Sequence, residues 1–348
     1  LSKHVPIPTG IRDEERKVYE MALEVIGERK KKGILPTNIV VISDLQKDVD
    51  DLAAWITLVE LRRLGLVNLK GFVTNFTFEE ERARAGRGLL DLMHLKSLPV
   101  GVGTRGSDRE ADLNRRMMPY EFDKCPYMAP KDTRFPTGAE LLHQIFTEAQ
   151  QNDDQLTVLL ISSLRDMDQF IQAYPDLIHA VAEKFILQGD FRVSDEGVPE
   201  ALPGAANNDF DLPAARRVHR WAFEHSIPMT VYTKLAAFAT HIPDQLCQDM
   251  EASGHVVGKY LRESQVAMDL DFYRSACSED PKDRFKGSMD QEWYLRHKTT
   301  YFQQHPHALK SEWPMGREVI RYVNQLTAYD ALAAVGAVGG DFLDKMEI

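Results

Sequence analysis

NIVVISDLQKDVDDLAAW, running from Asn38 to Trp55, decides how the rest of the chain is read. Its first half holds Ile39, Val40, Val41 and Ile42, a β-branched apolar run too short for a helix, which is the pattern of a strand buried on both faces. After it, Leu52, Trp55 and Ile56, continued by Val59 and Leu61, return at helical spacing. Four carboxylates, Asp44, Asp48, Asp50 and Asp51, stand in the turn between the two. Ligands of open parallel sheets bind at the carboxyl ends of the strands, where this turn sits. Like charges so close repel, and without a cation some members are expected to hold their protons above the ordinary range. A hard divalent cation with oxygen ligands relieves that repulsion. Helix capping explains one such side chain, and the helix dipole a second. Four exceed that need, so the turn is expected to be a metal or catalytic site.

Outward from this turn, short apolar runs alternate with helical patterns. The runs are LKGFVTN at 69–75, PVGVGT at 99–104, QLTVLLIS at 155–162, KFILQGD at 184–190 and IPMTVYTK at 227–234. Between them lie EEERARAGRGLLDLMHL, GAELLHQIFTEAQ, LIHAVAEK and LPAARRVHRWAFEH. Such alternation specifies right-handed βαβ units and an α/β fold, a single domain with a mostly parallel central sheet flanked by helices. Residues 1–36 read as an N-terminal helical extension, with Val18, Met21, Ala22 and Val25 on its apolar face and a stop at Gly33. Residues 37–348 read as the α/β domain, interrupted by irregular insertions near 105–136 and 256–316. Insertions of this length form lids or binding walls, or bury their aromatic residues locally.

The formal net charge of −11 argues against a nucleic-acid partner, whose phosphates are met by Lys and Arg. Cys125, Cys247 and Cys277 are far apart and in no metal-ligand spacing, which suggests buried thiols in a reducing compartment. No run of eighteen apolar residues is present, so no membrane partner is expected and the expected location is cytoplasmic.

Polar residues also close the other strands: Thr74-Asn75, Ile161-Ser162, Gly189-Asp190 and Thr233-Lys234. In AANNDFDLPAARR, Asp211 is placed to cap the following helix, which leaves Asn207 and Asn208 unexplained and available to a substrate. TAYDALAAVGAV puts Tyr329-Asp330 at the head of a late apolar helix.

Taken in order, these segments resemble the inosine-uridine nucleoside hydrolase family. A strand ends in Asp, Asp-Asp follows to open a helix, and a late aromatic-Asp precedes an Ala/Leu-rich helix; the likeness runs from about residue 38 to 338. The resemblance implies one α/β domain, a bound Ca²⁺ (Mg²⁺ less so) and hydrolysis of an N-glycosidic bond. It implies Asp44, Asp51 and Asp330 as carboxylate ligands and the Ile161 carbonyl as a further one. Asn207 matches a ribose-binding asparagine, with Asn75, Asp190 and Asn208 nearby as substrate contacts. The implied partner is a small molecule, a nucleoside or an analogue, and the expected assembly is a homodimer or homotetramer.

The departures are specific. Gln46 stands where the family has a metal-binding Asp, Asp48 where it has Gly, and Ala205 where it has a ribose-binding Glu. An amide cannot accept a proton from water, so the general base falls to Asp48 or Asp50, and Asp48 also supplies the missing ligand charge. Tyr329 is placed to stack on or protonate the leaving base. Three readings follow: a calcium-dependent nucleoside hydrolase, an enzyme of this fold with another small substrate, and a non-catalytic metal or ligand binder.

Overall fold

The computed structural model describes residues 5–108 and 122–347. β1 (Thr37–Ser43) is buried from Ile39 onward and lies between β2 (Val67–Thr74) and β4 (Leu156–Ile161). β3 (Val100–Val102) extends the sheet beyond β2, while β5 (Ala182–Gln188) and an edge strand, Met229–Tyr232, extend it beyond β4. All six strands are parallel. The order 3-2-1-4-5 reverses direction at β1 and β4, and that reversal opens a crevice at the carboxyl ends of these two strands. Register aligns Ser43 with Ile161 and with Thr74, so the strand ends carrying the polar residues lie side by side.

Helices cover both faces. α2 (Val49–Leu64) and α3 (Glu79–Leu92) pack on one, together with the late helix Asp330–Gly336. Gly138–Gln151, Arg165–Ala173 and Leu212–Glu224 pack on the other. α2 starts just after Asp48, whose backbone is extended, and ends at Gly65, whose positive φ of 87° suits a residue without Cβ. Trp55 of α2 lies against Phe72 of β2 with ring centroids 4.0 Å apart, which fixes this helix over the sheet.

α1 (Asp13–Lys32) buries Ala22, Val25, Ile26 and Arg29, one turn further along than the sequence suggests; Val18 is exposed. Arg29 holds Asp341 through two hydrogen bonds of 2.7 and 2.6 Å and also donates to the carbonyls of Leu66 and Val338. The helix α1 is thereby tied to residues 338–341 late in the chain.

The expectation of an irregular stretch at 256–316 is corrected. A helix of 21 residues, Val256–Ala276, fills its first third, and Tyr273, Tyr294 and Tyr301 gather into a small core of their own. Its apolar residues recur without a strong one-sided stripe because the helix is covered on more than one side, so periodicity did not betray it. Part of the other insertion, residues 109–121, lies outside the described residues; Cys125 and Tyr127 beyond it are buried against the core. LIHAVAEK is also divided: the helix Pro175–Val181 stops there, and Ala182 begins β5.

Candidate metal and catalytic site

The acidic turn is folded at the reversal point of the sheet. Asp51 is fully buried in the first turn of α2, and Ser43 at the end of β1 donates to its Oδ1 at 2.6 Å. Trp55 in turn donates to Ser43 at 3.0 Å, so a core tryptophan orients a carboxylate through a serine. Asp330 arrives from the far end of the chain, in the first turn of a helix packed along α2. One carboxylate oxygen from each of Asp48, Asp50, Asp51 and Asp330 lies within 4.8 Å of the others.

Two of these carboxylates are left short of partners. Asp51 Oδ2 and Asp48 Oδ1 are buried and accept no hydrogen bond. A buried carboxylate oxygen in that condition costs several kcal/mol unless a cation meets it. The donor set is all oxygen and mostly carboxylate, so the residues fit a hard divalent cation. Asp48 occupies the N-cap position of α2 without a side-chain capping bond, which sets aside the plain capping explanation.

Burial, then repulsion from Asp44 and Asp330, holds the Asp51 carboxyl well above its ordinary range. Asp50 and Asp330 are raised likewise, by burial first and by their acidic neighbours next. Asp44 is raised chiefly by burial, against the pull of Lys47 and Arg82. Asp48 behaves differently. Burial is the largest influence and pushes it up, but the Lys47 ammonium, together with the weaker pull of polar groups on Asp50 and Lys47, outweighs it and brings it down to about 2.

Lys47 and Arg82 were not singled out in the sequence. Lys47 Nζ sits 3.0 Å from Asp48 and 3.4 Å from Asp44. Its signal was in plain view, as a lone base among four acids. Arg82 is fully buried and donates to the carbonyls of Asp44 and Leu45 at 2.7 Å and of Thr77 at 2.8 Å, fixing the backbone of the turn. Within EEERARAG nothing sets it apart from solvated charge.

The other expected site residues are placed as follows. Asp44, expected as a ligand, is fully buried but stands outside the four-carboxylate group and faces Lys47. Ile161 ends β4 beside Ser43, close to the turn in register. Gln46 has a positive φ of 75°, and its Oε1 accepts from Tyr260 at 2.6 Å while its Nε2 donates to Tyr127 at 3.3 Å. The amide oxygen that could have served a metal is therefore engaged by a tyrosine. Tyr329 is half-buried beside the cluster, its hydroxyl pushed up to about 12 by burial and then by Asp50, Asp48 and Asp330, and Phe238 meets it with centroids 6.0 Å apart.

Three expected substrate contacts spend amide N–H groups within the fold. Asn75 donates to Asp166 and to the Ser163 carbonyl and accepts from Ser162, so both of its amide N–H groups are used within the fold. Asn208 donates to the carbonyls of Asp190 and Leu202, and Asn207 to Gln188. Asp190 is half-buried, with Oδ1 accepting from the Phe191 amide. Asp211 caps Leu212–Glu224 as expected, accepting from Ala214 at 3.1 Å, and also pairs with Arg165. A cavity of about 800 Å³ at the end of β3, walled by Thr104, Phe135, Phe170 and Tyr174, contains none of the five aspartates.

No family model matches the chain, and neither does any curated protein sequence. Solved structures do. The type III effector protein XopQ, solved in complex with adenosine diphosphate ribose, aligns with a TM-score of 0.80 at 19% identity over 95% of this chain and 87% of that chain. A plant nucleoside hydrolase aligns at 0.56 and 15% identity over 87% and 79%. A purine-preferring ribonucleoside hydrolase from Gardnerella vaginalis aligns at 0.56 and 14% over 87% and 80%. These likenesses show the fold: the chain is built as nucleoside hydrolases are, in a divergent form shared with effector proteins. Among the described residues no helix is long and apolar enough to cross a membrane.

Proposed function

We propose that this chain is a metal-dependent N-glycosidase acting on a ribonucleoside or a nucleoside-like compound. The observation that carries the reading is the convergence of Asp48, Asp50, Asp51 and Asp330, with two buried carboxylate oxygens that no protein donor meets, at the reversal point of a nucleoside hydrolase-like fold. Asp51, Asp330 and Asp48 Oδ1 are the proposed ligands. Calcium is favoured over magnesium, because several carboxylates in irregular array suit its larger and more flexible shell. When bound, the cation supplies a Lewis acid that positions sugar hydroxyls and water. Ser43 keeps Asp51 in one orientation for that task. Of the two candidate bases the sequence offers, the proton of the attacking water goes to Asp50 in this reading: Asp48 is held ionised by Lys47 and is the weaker base. Tyr329 and Phe238 present aromatic rings to the departing base. We extend the proposal to a homodimer or homotetramer in the cytoplasm, with residues 1–36 as an extension of one α/β domain.

A second reading is supported by the alignment with XopQ, which is tighter than that with the hydrolases, and by the engagement of Asn75, Asn207 and Asn208 within the fold. In it the same site holds a ribose-containing ligand, ADP-ribose among them, without cleaving it. The test is to incubate the purified chain with purine and pyrimidine ribonucleosides and with ADP-ribose, with calcium or with chelator, and to follow free base and bound ligand. Base released only with calcium supports the hydrolase. Binding without release supports the second reading, and calcium-independent release overturns the metal assignment.

A further inference from the structure

Lys47 places a cation inside the acidic turn. Its Nζ donates to Asp48 Oδ2 at 3.0 Å, forms a longer ion pair of 3.4 Å with Oδ2 of Asp44, neither of whose oxygens accepts a hydrogen bond, and lies 5.4 Å from the centroid of the Phe210 ring. The two carboxylates it holds are those whose places differ most from the rest of the cluster. Asp44 is absent from the four-carboxylate group, and Asp48 keeps only Oδ1 without a hydrogen bond. We propose that Lys47 is a built-in counter-ion that competes with the divalent cation for this cluster, drawing Asp44 out of the ligand set and limiting Asp48 to one oxygen. The inference rests on the metal-dependent reading above and specifies how tightly that site binds.

The physical argument is short. A divalent ion on Asp48 Oδ1 shares a carboxylate with the ammonium on Oδ2, so two cations are brought within a few ångströms in a poorly hydrated site and repel. Lysine suits this role, because a compact charge on a flexible four-carbon stem can shift from Asp48 onto Asp44 as an ion enters. The Phe210 ring gives the ammonium a further favourable contact. Affinity for the ion is therefore lower than the number of carboxylates suggests.

The test is calorimetric titration of calcium into the metal-stripped full chain, as wild type, Lys47→Met and Lys47→Arg. Lys47→Met is expected to bind calcium on the order of tenfold more tightly, and Lys47→Arg to stay within about threefold of wild type. Melting of the same samples gives a second readout: metal-free Lys47→Met melts below wild type and gains more on adding calcium. Lys47→Gln keeps a donor for Asp48 while removing the charge, and replaces Lys47→Met should that variant not fold. Neutral variants that bind no more tightly than a calcium-binding wild type overturn the inference alone. Binding by neither overturns the metal-dependent reading and the inference with it. Binding by the neutral variant only supports the competition and overturns the reading of the wild type as a calcium enzyme.

Discussion

Two buried aspartates at neighbouring strand ends show what separates scaffold from site. Asp166 follows β4, and both its oxygens are met: Oδ1 by the Thr104 amide at 2.7 Å, Oδ2 by Asn75 at 2.7 Å and the Thr104 hydroxyl at 2.8 Å. Gly103 allows this closeness, since a Cβ there would lie 2.7 Å from Asp166 Oδ1. Asp51 follows β1 and is buried still more completely, yet only Oδ1 has a donor. The desolvation cost is alike; the compensation is complete in one place and withheld in the other. A fold that leaves a buried carboxylate half-satisfied among three others is arranged for a ligand that brings positive charge.

The comparison breaks most sharply at Asp51. Asp51→Ala is expected to remove bound calcium and lower nucleoside turnover at least about a hundredfold, beyond the range typical of losing an outer-shell partner. Elemental analysis together with base release checks it, and a variant that retains both would place the metal elsewhere. Asp50→Asn is expected to keep the metal but lose on the order of a hundredfold in kcat, with Asp48→Asn losing less. The reverse order would return the base to Asp48.

Asp166→Ala serves as the opposite control. It strands the donors of Asn75 and Thr104 in a buried place and is expected to cost about 3 kcal/mol in urea unfolding. Calcium affinity of the folded fraction should stay near wild type; a large loss would mean that this network shapes the site as well as the scaffold.

The smallest effect expected is on pH. In the metal-free protein Asp44, Asp50, Asp51 and Asp330 have raised carboxyls, so the stability they contribute is full below the unfolded carboxylate range and is lost as pH rises through the raised values. Asp48 runs the other way, contributing above its ordinary value and losing that contribution as pH falls toward about 2. Asp48 exerts its effect below the ordinary carboxylate range and the other four above it, so the melting temperature of the metal-free chain should fall as pH rises above that range, and calcium should raise it more at the higher pH. A flat profile would indicate that the cluster is satisfied without an ion.

Much of this was legible in the chain. The β-branched run at Ile39–Ile42, the helical spacing from Leu52 and the regular alternation that follows specify the parallel sheet, because burial on both faces admits only such runs. Four aspartates in one turn specify a cluster of charge, since residues so close in sequence cannot avoid one another. The same local logic identified Asp211 as a cap. What the sequence could not decide was which polar groups find partners. Asn75, Asn207 and Asn208 read as free to meet a substrate, and only the folded chain, which brings Asp166 to Asn75 across 91 residues and Gln188 to Asn207 across 19, shows where their amide N–H groups go. Arg82 beneath the turn and Tyr260 upon Gln46 likewise acquire their roles from three-dimensional neighbours. Strand and helix follow from patterns a few residues long, whereas the satisfaction of a buried polar atom depends on donors tens to hundreds of residues away, which only the tertiary structure brings within reach.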